Sequence, residues 1–116
     1  MTFTISARDK CIPYTTKDGS AIREILKAAN QSLAEATVLP GQTTAAHYHI
    51  KTEEIYYILR GRGSMFLEED EKEVGPGDAI LIPPGQRHSI RNTGSEELVF
   101  LCCCAPGYSH EDTVLV

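Results

Sequence analysis

The chain has 116 residues, enough for one domain, and 41% of them are hydrophobic, so it can bury a core of its own. Its formal net charge of −5 argues against binding to nucleic acid or to an anionic membrane surface. No stretch approaches the roughly twenty apolar residues of a membrane-spanning helix, and the N-terminus lacks the features of a signal peptide. We therefore expect a single cytoplasmic domain over residues 1–116, with small molecules as its ligands.

The first predicted element is ambiguous. Apolar residues in the stretch 21–29, namely Ile22, Ile25, Leu26 and Ala29, follow the spacing of one helical face. On this pattern alone the stretch is predicted to be a helix.

Proline and glycine divide the rest of the chain into short segments, with Pro-Gly pairs at 40–41, 76–77 and 106–107. Short segments at close, regular spacing are typical of all-β domains. Strands are predicted at 33–39, 46–50, 54–59, 64–68, 79–82, 89–92 and 98–104. The acidic run 68–73 is interpreted as a solvated hairpin tip. Strands of this number and size make a small barrel or sandwich.

Three histidines and a glutamate in this pattern point to a metal. His47 and His49 are two residues apart, so both side chains lie on the same face of a strand. Glu54 begins the next predicted strand, and His88 follows the proline-rich turn at 83–85. A His-x-His pair alone is more often a buried, hydrogen-bonded pair. Three imidazoles with a carboxylate, however, leave an uncompensated charge in an apolar interior unless a cation lies among them.

Glycine, proline and asparagine residues accompany these four side chains at fixed distances. The first string is Gly41, His47, His49, Glu54 and Gly61, and the second is Gly77, Pro83, Gly85, His88 and Asn92. At all ten positions the strings resemble the two signature motifs of the cupin superfamily, with the short spacer typical of its single-domain bacterial members. The resemblance implies a small double-stranded β-helix, the cupin jelly-roll barrel. It divides the chain into an N-terminal arm (1–30), a barrel core (about 31–105) and a C-terminal tail (about 106–116).

The resemblance also implies the ligand set. His47, His49, Glu54 and His88 match the family's ligand positions and would hold one divalent transition metal ion, Fe, Mn, Ni or Zn. Glu53 is the alternative carboxylate if the spacing is read one residue shorter. For the N-terminal stretch, the resemblance favours a strand over 22–26 that pairs across a homodimer.

The pocket wall is predicted from strand alternation. Tyr56, Ile58 and Arg60 share the side of the strand that carries Glu54, and Met65 is added from the next strand as a further substrate contact. Tyr56 is also the candidate catalytic side chain, because no other interior acid or base stands out.

The remaining reactive side chains are interpreted more simply. The cysteine run 102–104 fills strand positions with small reduced thiols, and a redox role is the alternative. Neighbours in a strand face opposite sides, so no pair within the run is placed for an easy disulfide. His110 is expected to be solvated.

Together with the metal site, the resemblance to cupins implies a small metal-dependent enzyme, an oxygenase or a sugar-type isomerase, that acts on an oxygen-rich metabolite chelated at the metal. The chain is similar to cupins related to the cupin part of type II mannose-6-phosphate isomerases. A phosphosugar site would need clustered Lys or Arg, and the arginines here are scattered. A non-enzymatic module that binds a sugar or an organic acid is the alternative, and a barrel without metal is a third hypothesis.

Overall fold

A computed structural model describes residues 2–116, and over this range the chain is all-β, as predicted. One turn of 3-10 helix spans Arg8–Lys10. The strands are β1 (Tyr14–Thr15), β2 (Ala21–Lys27), β3 (Ser32–Val38), β4 (His47–His49), β5 (Glu53–Arg60), β6 (Gly63–Leu67), β7 (Asp70–Val74), β8 (Ala79–Ile82), β9 (His88–Asn92), β10 (Leu98–Ala105) and β11 (Thr113–Leu115). No helix within residues 2–116 has the length and apolar character needed to cross a bilayer.

The strands form two antiparallel sheets that face each other across the core. The larger sheet has the order β1-β2-β3-β10-β5-β8, and the smaller has the order β11-β4-β9-β6-β7. Alternation along β5 buries Tyr56 and Ile58 and exposes their neighbours, as a strand with one buried face requires. Phe100 of β10 and Ile90 of β9 are fully buried between the sheets. The two inner faces therefore make one hydrophobic core.

The N-terminal stretch is a strand, as the resemblance to cupins favours, and the helix indicated by its apolar spacing alone does not form. β2 pairs with β3 along its length, with a register shift between Glu24 and Leu26. Ile22 is buried in the core, whereas Leu26 is exposed. Pairing with a long neighbouring strand outweighs a weak helical pattern here, since local propensity is easily overridden by tertiary contacts.

The acidic run was only partly predicted. The hairpin tip is Glu68 and Glu69, with Glu68 in the left-handed region at φ 51°. The residues that follow form β7, which pairs with β6 from Asp70 opposite Leu67 to Val74 opposite Gly63. Most of β7 is exposed at the edge of the smaller sheet, so its sequence shows no apolar alternation. Its charges discourage pairing with other chains.

Both ends of the chain contribute to the sheets. The predicted arm, 1–30, supplies β1 and β2 to the larger sheet. The predicted tail, 106–116, supplies β11, which pairs with β4 and places Thr113 opposite His49 and Leu115 opposite His47. The segment that was expected to be a tail therefore lies directly beside two of the predicted metal ligands.

Candidate metal centre

Two neighbouring strands of the smaller sheet bring the three motif histidines together. His47 and His49 lie on the inward face of β4, and His88 at the start of β9 is the cross-strand partner of His47. One ring nitrogen from each of the three lies within 4.8 Å of the others, and all three side chains are buried. This spacing allows one ion to contact three imidazoles.

Glu54 reaches the histidines from β5 of the opposite sheet. Its Oε1 lies 3.2 Å from His49 Nε2 and 3.6 Å from His88 Nε2, and the residue is buried. Glu53 is exposed on the other face of the strand. Of the two carboxylates considered from the sequence, Glu54 is the one that faces the histidines.

Backbone carbonyls fix the tautomer of two of the rings. His47 Nδ1 lies 2.9 Å from the carbonyl oxygen of Ala45, and His88 Nδ1 lies 3.0 Å from that of Gln86. A carbonyl only accepts hydrogen bonds, so each Nδ1 carries the hydrogen and donates it. The lone pair of each ring is then on Nε2, which faces the centre of the cluster.

Thr113 of β11 fixes the third ring. Its Oγ1 donates to the carbonyl oxygen of Ser109 at 2.9 Å and lies 3.1 Å from His49 Nδ1. Because the hydroxyl hydrogen is committed to Ser109, the contact with His49 requires Nδ1–H to donate to Oγ1. His49 therefore also presents the lone pair of Nε2, and its orientation depends on a residue outside both motifs.

The four side chains fit a divalent cation. Burial raises the pKa of Glu54, whereas positive charge at the neighbouring rings of His49 and His88 lowers it to about 2, so Glu54 is a carboxylate when a cation lies beside it. Glu54 Oε1 and His88 Nε2 are buried and have no hydrogen-bond partner among the described residues. Acceptors facing each other in a dry interior are costly unless a cation is shared between them. Three imidazole nitrogens and a carboxylate oxygen are a donor set that suits divalent transition metals.

A thiol holds the other oxygen of the carboxylate. Cys104 Sγ donates to Glu54 Oε2 at 3.3 Å in a fully buried contact. Burial, followed by the charge of Glu54, raises the pKa of this thiol far above its ordinary value. Cys104 is therefore a protonated donor rather than a thiolate, which favours the structural interpretation of the cysteines over a redox role.

The cluster opens into a cavity that is partly continuous with solvent. One wall comes from the N-terminal segment and consists of Tyr14, Thr16, Asp18, Ser20, Ile22 and Glu24. No pattern in the sequence indicates this wall, because it comes from outside the motif region. Of the predicted substrate contacts, Tyr56 lines the cavity.

The structure places the other predicted wall residues elsewhere. Ile58 and Met65 are buried in the hydrophobic core and do not line the cavity. Arg60 is exposed and pairs with Glu97 at 2.8 Å between Nη2 and Oε1. Alternation identifies the side of a strand but not the depth along the barrel, and these residues lie further from the histidines along their strands.

Tyr56, the candidate catalytic residue, stands beside His88, with 6.0 Å between the ring centroids. Burial, followed by the charge of Glu54, raises the pKa of its phenol well above the ordinary value. The hydroxyl therefore stays protonated at neutral pH, so it can donate a hydrogen bond but cannot act as a base.

The turn between His49 and Glu54 is held by the segment before β11. Asp112 Oδ1 accepts from the backbone N–H of Lys51 at 2.9 Å, and Oδ2 accepts from that of Thr52 at 3.0 Å. Both oxygens of one carboxylate thus stabilise the chain that joins two predicted ligands.

Replacing Asp112 by asparagine is expected to lower the free energy of unfolding by about 1–2 kcal/mol, because one of the two N–H groups then loses its acceptor. Urea denaturation measures the difference. Glu111→Gln, at the exposed neighbour, is the control and should stay within about 0.5 kcal/mol of wild type. Equal stability of Asp112→Asn and wild type would contradict the assigned role.

The pH dependence of the metal-free protein follows from His47. Burial, followed by the nearby His88, lowers the pKa of His47 below its ordinary value of 6.5. The unfolded chain then binds a proton at pH values where the folded protein does not. The contribution of His47 to the stability of the folded protein is therefore complete at pH values above 6.5. It is lost as the pH falls from 6.5 towards the lower pKa that His47 has in the folded protein.

For metal-free protein, we expect the free energy of unfolding to fall more between about pH 7.5 and 5.5 in wild type than in His47→Gln, which does not titrate. Urea titrations of both proteins in the presence of a chelator measure the two slopes. Parallel slopes would show that His47 binds its proton as strongly in the folded protein as in the unfolded chain, which would contradict the lowered pKa.

Comparison with known proteins identifies the family. Residues 34–104 match the family model described as "Cupin domain". An uncharacterized protein of Methanocaldococcus jannaschii, MJ1618, is 53% identical over 113 residues, which cover 93% of this chain and 90% of that protein. Glucose-6-phosphate isomerase of Thermococcus kodakarensis is 32% identical over 104 residues, or 78% of this chain. This chain spans about half of that isomerase, because the match covers 55% of its length.

Solved structures agree with this fold. Pac13 of Streptomyces, described as a nucleoside dehydratase, superposes with a TM-score of 0.85 at 16% identity and covers 99% of this chain and 92% of its own. A predicted oxalate decarboxylase of Thermotoga maritima gives a TM-score of 0.79 at 24% identity, over 89% of this chain and 99% of its own. At these identities the likeness concerns the fold alone. The match to the family model over residues 34–104 shows that the chain belongs to the cupin family.

Proposed function

We propose that the protein is a metal-dependent cupin enzyme that acts on an oxygen-rich small molecule in the cavity. The observation that supports this most is the set of buried acceptors beside the cavity, where His88 Nε2 and Glu54 Oε1 face each other without a hydrogen-bond partner among the described residues. When bound there, a divalent transition metal supplies Lewis acidity and a template for ligand oxygens.

The chain's own residues prepare this site for a ligand. Three rings are held with Nε2 inward by acceptors on their Nδ1 side, so the donors need little reorganisation. Cys104 fixes the rotation of the Glu54 carboxylate. Tyr56 offers a protonated hydroxyl in the cavity wall. These residues orient a ligand and exclude water, while the open side of the cavity admits it.

Within the enzyme class, the cavity does not resemble a phosphosugar site. No Lys or Arg is found among the residues that line it. A phosphate group is normally bound by such side chains or by backbone N–H groups at a helix N-terminus. We therefore propose an oxygenase or an isomerase of unphosphorylated substrates, although some relatives of the chain carry the name glucose-6-phosphate isomerase.

Turnover that depends on the metal tests the proposal. Protein loaded separately with Fe, Mn, Ni or Zn is screened for oxygen consumption with small diols and hydroxy acids, and for aldose–ketose conversion with free sugars. His49→Ala, treated identically, is the control. Turnover by loaded wild type that disappears in His49→Ala supports an enzyme, whereas its absence with every metal and substrate would contradict one.

One observation favours a second function, a module that binds a small ligand without converting it. The phenol of Tyr56 and the thiols of Cys102 and Cys104 all have pKa values raised by burial, so these cavity groups stay protonated at neutral pH. In that state none of the three can act as a base on a bound ligand. A binding module predicts saturable ligand binding to the metal-loaded protein, measured by calorimetry, without any product.

A homodimer is also proposed, as the sequence predicts. On its outer side, β2 pairs with β1 only at Ala21 and Ile22. The rest of this outer edge of β2 has no strand partner among the described residues. Such edges pair readily with another strand, and the same edge of a second copy is self-complementary about a two-fold axis. Light scattering should give twice the chain mass of 12.8 kDa, and the mass of a single chain would contradict the dimer.

A further inference from the structure

Asp18 directs a second carboxylate into the cavity from outside both motifs. It lies in the turn between β1 and β2 and lines the cavity, with only 12% of its side chain exposed. Its Oδ2 is 4.0 Å from Nε2 of His47. The histidine cluster is thus flanked by Glu54 next to His49 and His88, and by Asp18 next to His47.

The two oxygens of Asp18 have different roles. Oδ1 accepts three hydrogen bonds, from Thr16 Oγ1 at 2.7 Å, from Ser20 Oγ at 2.6 Å and from the backbone N–H of Ser20 at 2.9 Å. These bonds occupy the acceptor capacity of Oδ1 and fix the plane of the carboxylate. Oδ2 is left as the oxygen that points towards the cluster.

The turn that carries Asp18 is tied to the barrel. The backbone N–H of Ala45 donates to the carbonyl oxygen of Asp18 at 2.8 Å. Lys17 Nζ donates to the carbonyl oxygens of His110 at 3.1 Å and Thr113 at 2.8 Å. Asp18 is therefore held at a fixed position relative to the ligands, as a binding group requires.

The charges of the cavity then decide which ligands fit. The carboxylates of Glu54 and Asp18 together offset both charges of a divalent ion, and Glu24 adds a third carboxylate to the wall. Among the described residues, no Lys or Arg lines the cavity to attract an anion. A carboxylate or phosphate would enter without any net positive charge to bind it and would face Oδ2 at short range. An uncharged hydroxyl can instead donate to Oδ2 while its oxygen, or a neighbouring one, reaches the ion.

Building on the proposed metal-dependent function, we propose that Asp18 makes the site selective for uncharged, hydroxyl-bearing ligands, such as polyols or free sugars, and discriminates against anionic chelators. Its role is to position the ligand by accepting a hydrogen bond from a hydroxyl group beside the metal.

The test uses full-length protein loaded with Mn²⁺, and follows water-proton relaxation while oxalate, an anionic probe, or xylitol, an uncharged polyol, displaces metal-bound water. Asp18→Asn keeps a carbonyl oxygen for the three hydrogen bonds to Oδ1 and removes the charge from Oδ2. We expect this variant to bind oxalate about tenfold more tightly than wild type, on the scale of one nearby unit charge, and to bind xylitol more weakly. Asp70→Asn removes the same charge from the exposed edge strand β7 and should leave both affinities unchanged.

The outcomes separate the two proposals. Unchanged affinities in Asp18→Asn, with Mn²⁺ content and melting temperature equal to those of wild type, would overturn the role of Asp18 alone. Equal changes of the oxalate and xylitol affinities in Asp18→Asn and Asp70→Asn would show that only the net charge of the protein matters. That result would also overturn the role of Asp18. Failure of wild type to bind Mn²⁺, or any other divalent transition metal, would overturn the proposed function and this inference with it.

Discussion

Substituting His49 or His88 by alanine is expected to reduce bound metal from about one equivalent per chain to less than about 0.1 equivalent, because a site with four protein donors loses a central one. Each of these rings presents Nε2 to the cluster, and each lies close to Glu54 Oε1. Without the ring, the remaining donors form an open and poorly directed set. Elemental analysis after dialysis against Co²⁺ or Zn²⁺ and gel filtration gives the stoichiometry directly.

The fourth histidine of the chain supplies the control. His110 is exposed in the loop before β11, so His110→Ala removes an imidazole without touching the cluster. It should retain wild-type metal content. Loss of metal in His110→Ala, or near-stoichiometric metal in both His49→Ala and His88→Ala, would mean that the ion is bound somewhere else.

Replacing Thr113 by valine is expected to weaken metal binding by about 10- to 100-fold, the usual range for the loss of a side chain that orients a ligand. Valine matches the shape of threonine but cannot accept the hydrogen of His49 Nδ1. The ring then loses the contact that keeps the lone pair on Nε2. Competition with a chromophoric chelator measures the dissociation constant.

Thr113→Ser separates the hydrogen bond from packing. Serine keeps the hydroxyl that donates to Ser109 and accepts from His49, while it loses the methyl group. We expect Thr113→Ser to bind metal nearly as well as wild type. If serine and valine weaken binding equally, the methyl group rather than the hydroxyl would be the feature that matters.

The central strands and the histidine cluster were predictable because they depend on short-range pattern. Turn residues bracket strands such as β8 (Ala79–Ile82), which was predicted with its observed bounds. His47 and His49 project together because a strand alternates with period two. By contrast, β7 is exposed along most of its length, and β11 is three residues long, so neither carries the alternation that marks a strand.

The wall and the outer supports of the site were not predictable by the same means. Thr113 is 64 positions away from His49 in the chain, and Asp18 belongs to a turn that resembles many solvated turns in sequence. Only the pairing of β11 with β4 and the docking of the turn through Ala45 and Lys17 bring them to the histidines. Contacts of this kind come from tertiary structure, which no local pattern records.

Because the proposed donors are dispersed along the sequence, a bound ion would have a thermodynamic role as well as a chemical one. In an unfolded chain, His47, His49 and Glu54 remain neighbours, but His88 and the Thr113 hydroxyl are remote, so the disordered polypeptide chelates poorly. Mass action then adds about 2.7 kcal/mol to the folded state when free metal is 100 times the dissociation constant. The conformational stability of this protein would therefore rise and fall with the divalent metal available in its surroundings, and metal starvation would expose the chain to unfolding and proteolysis.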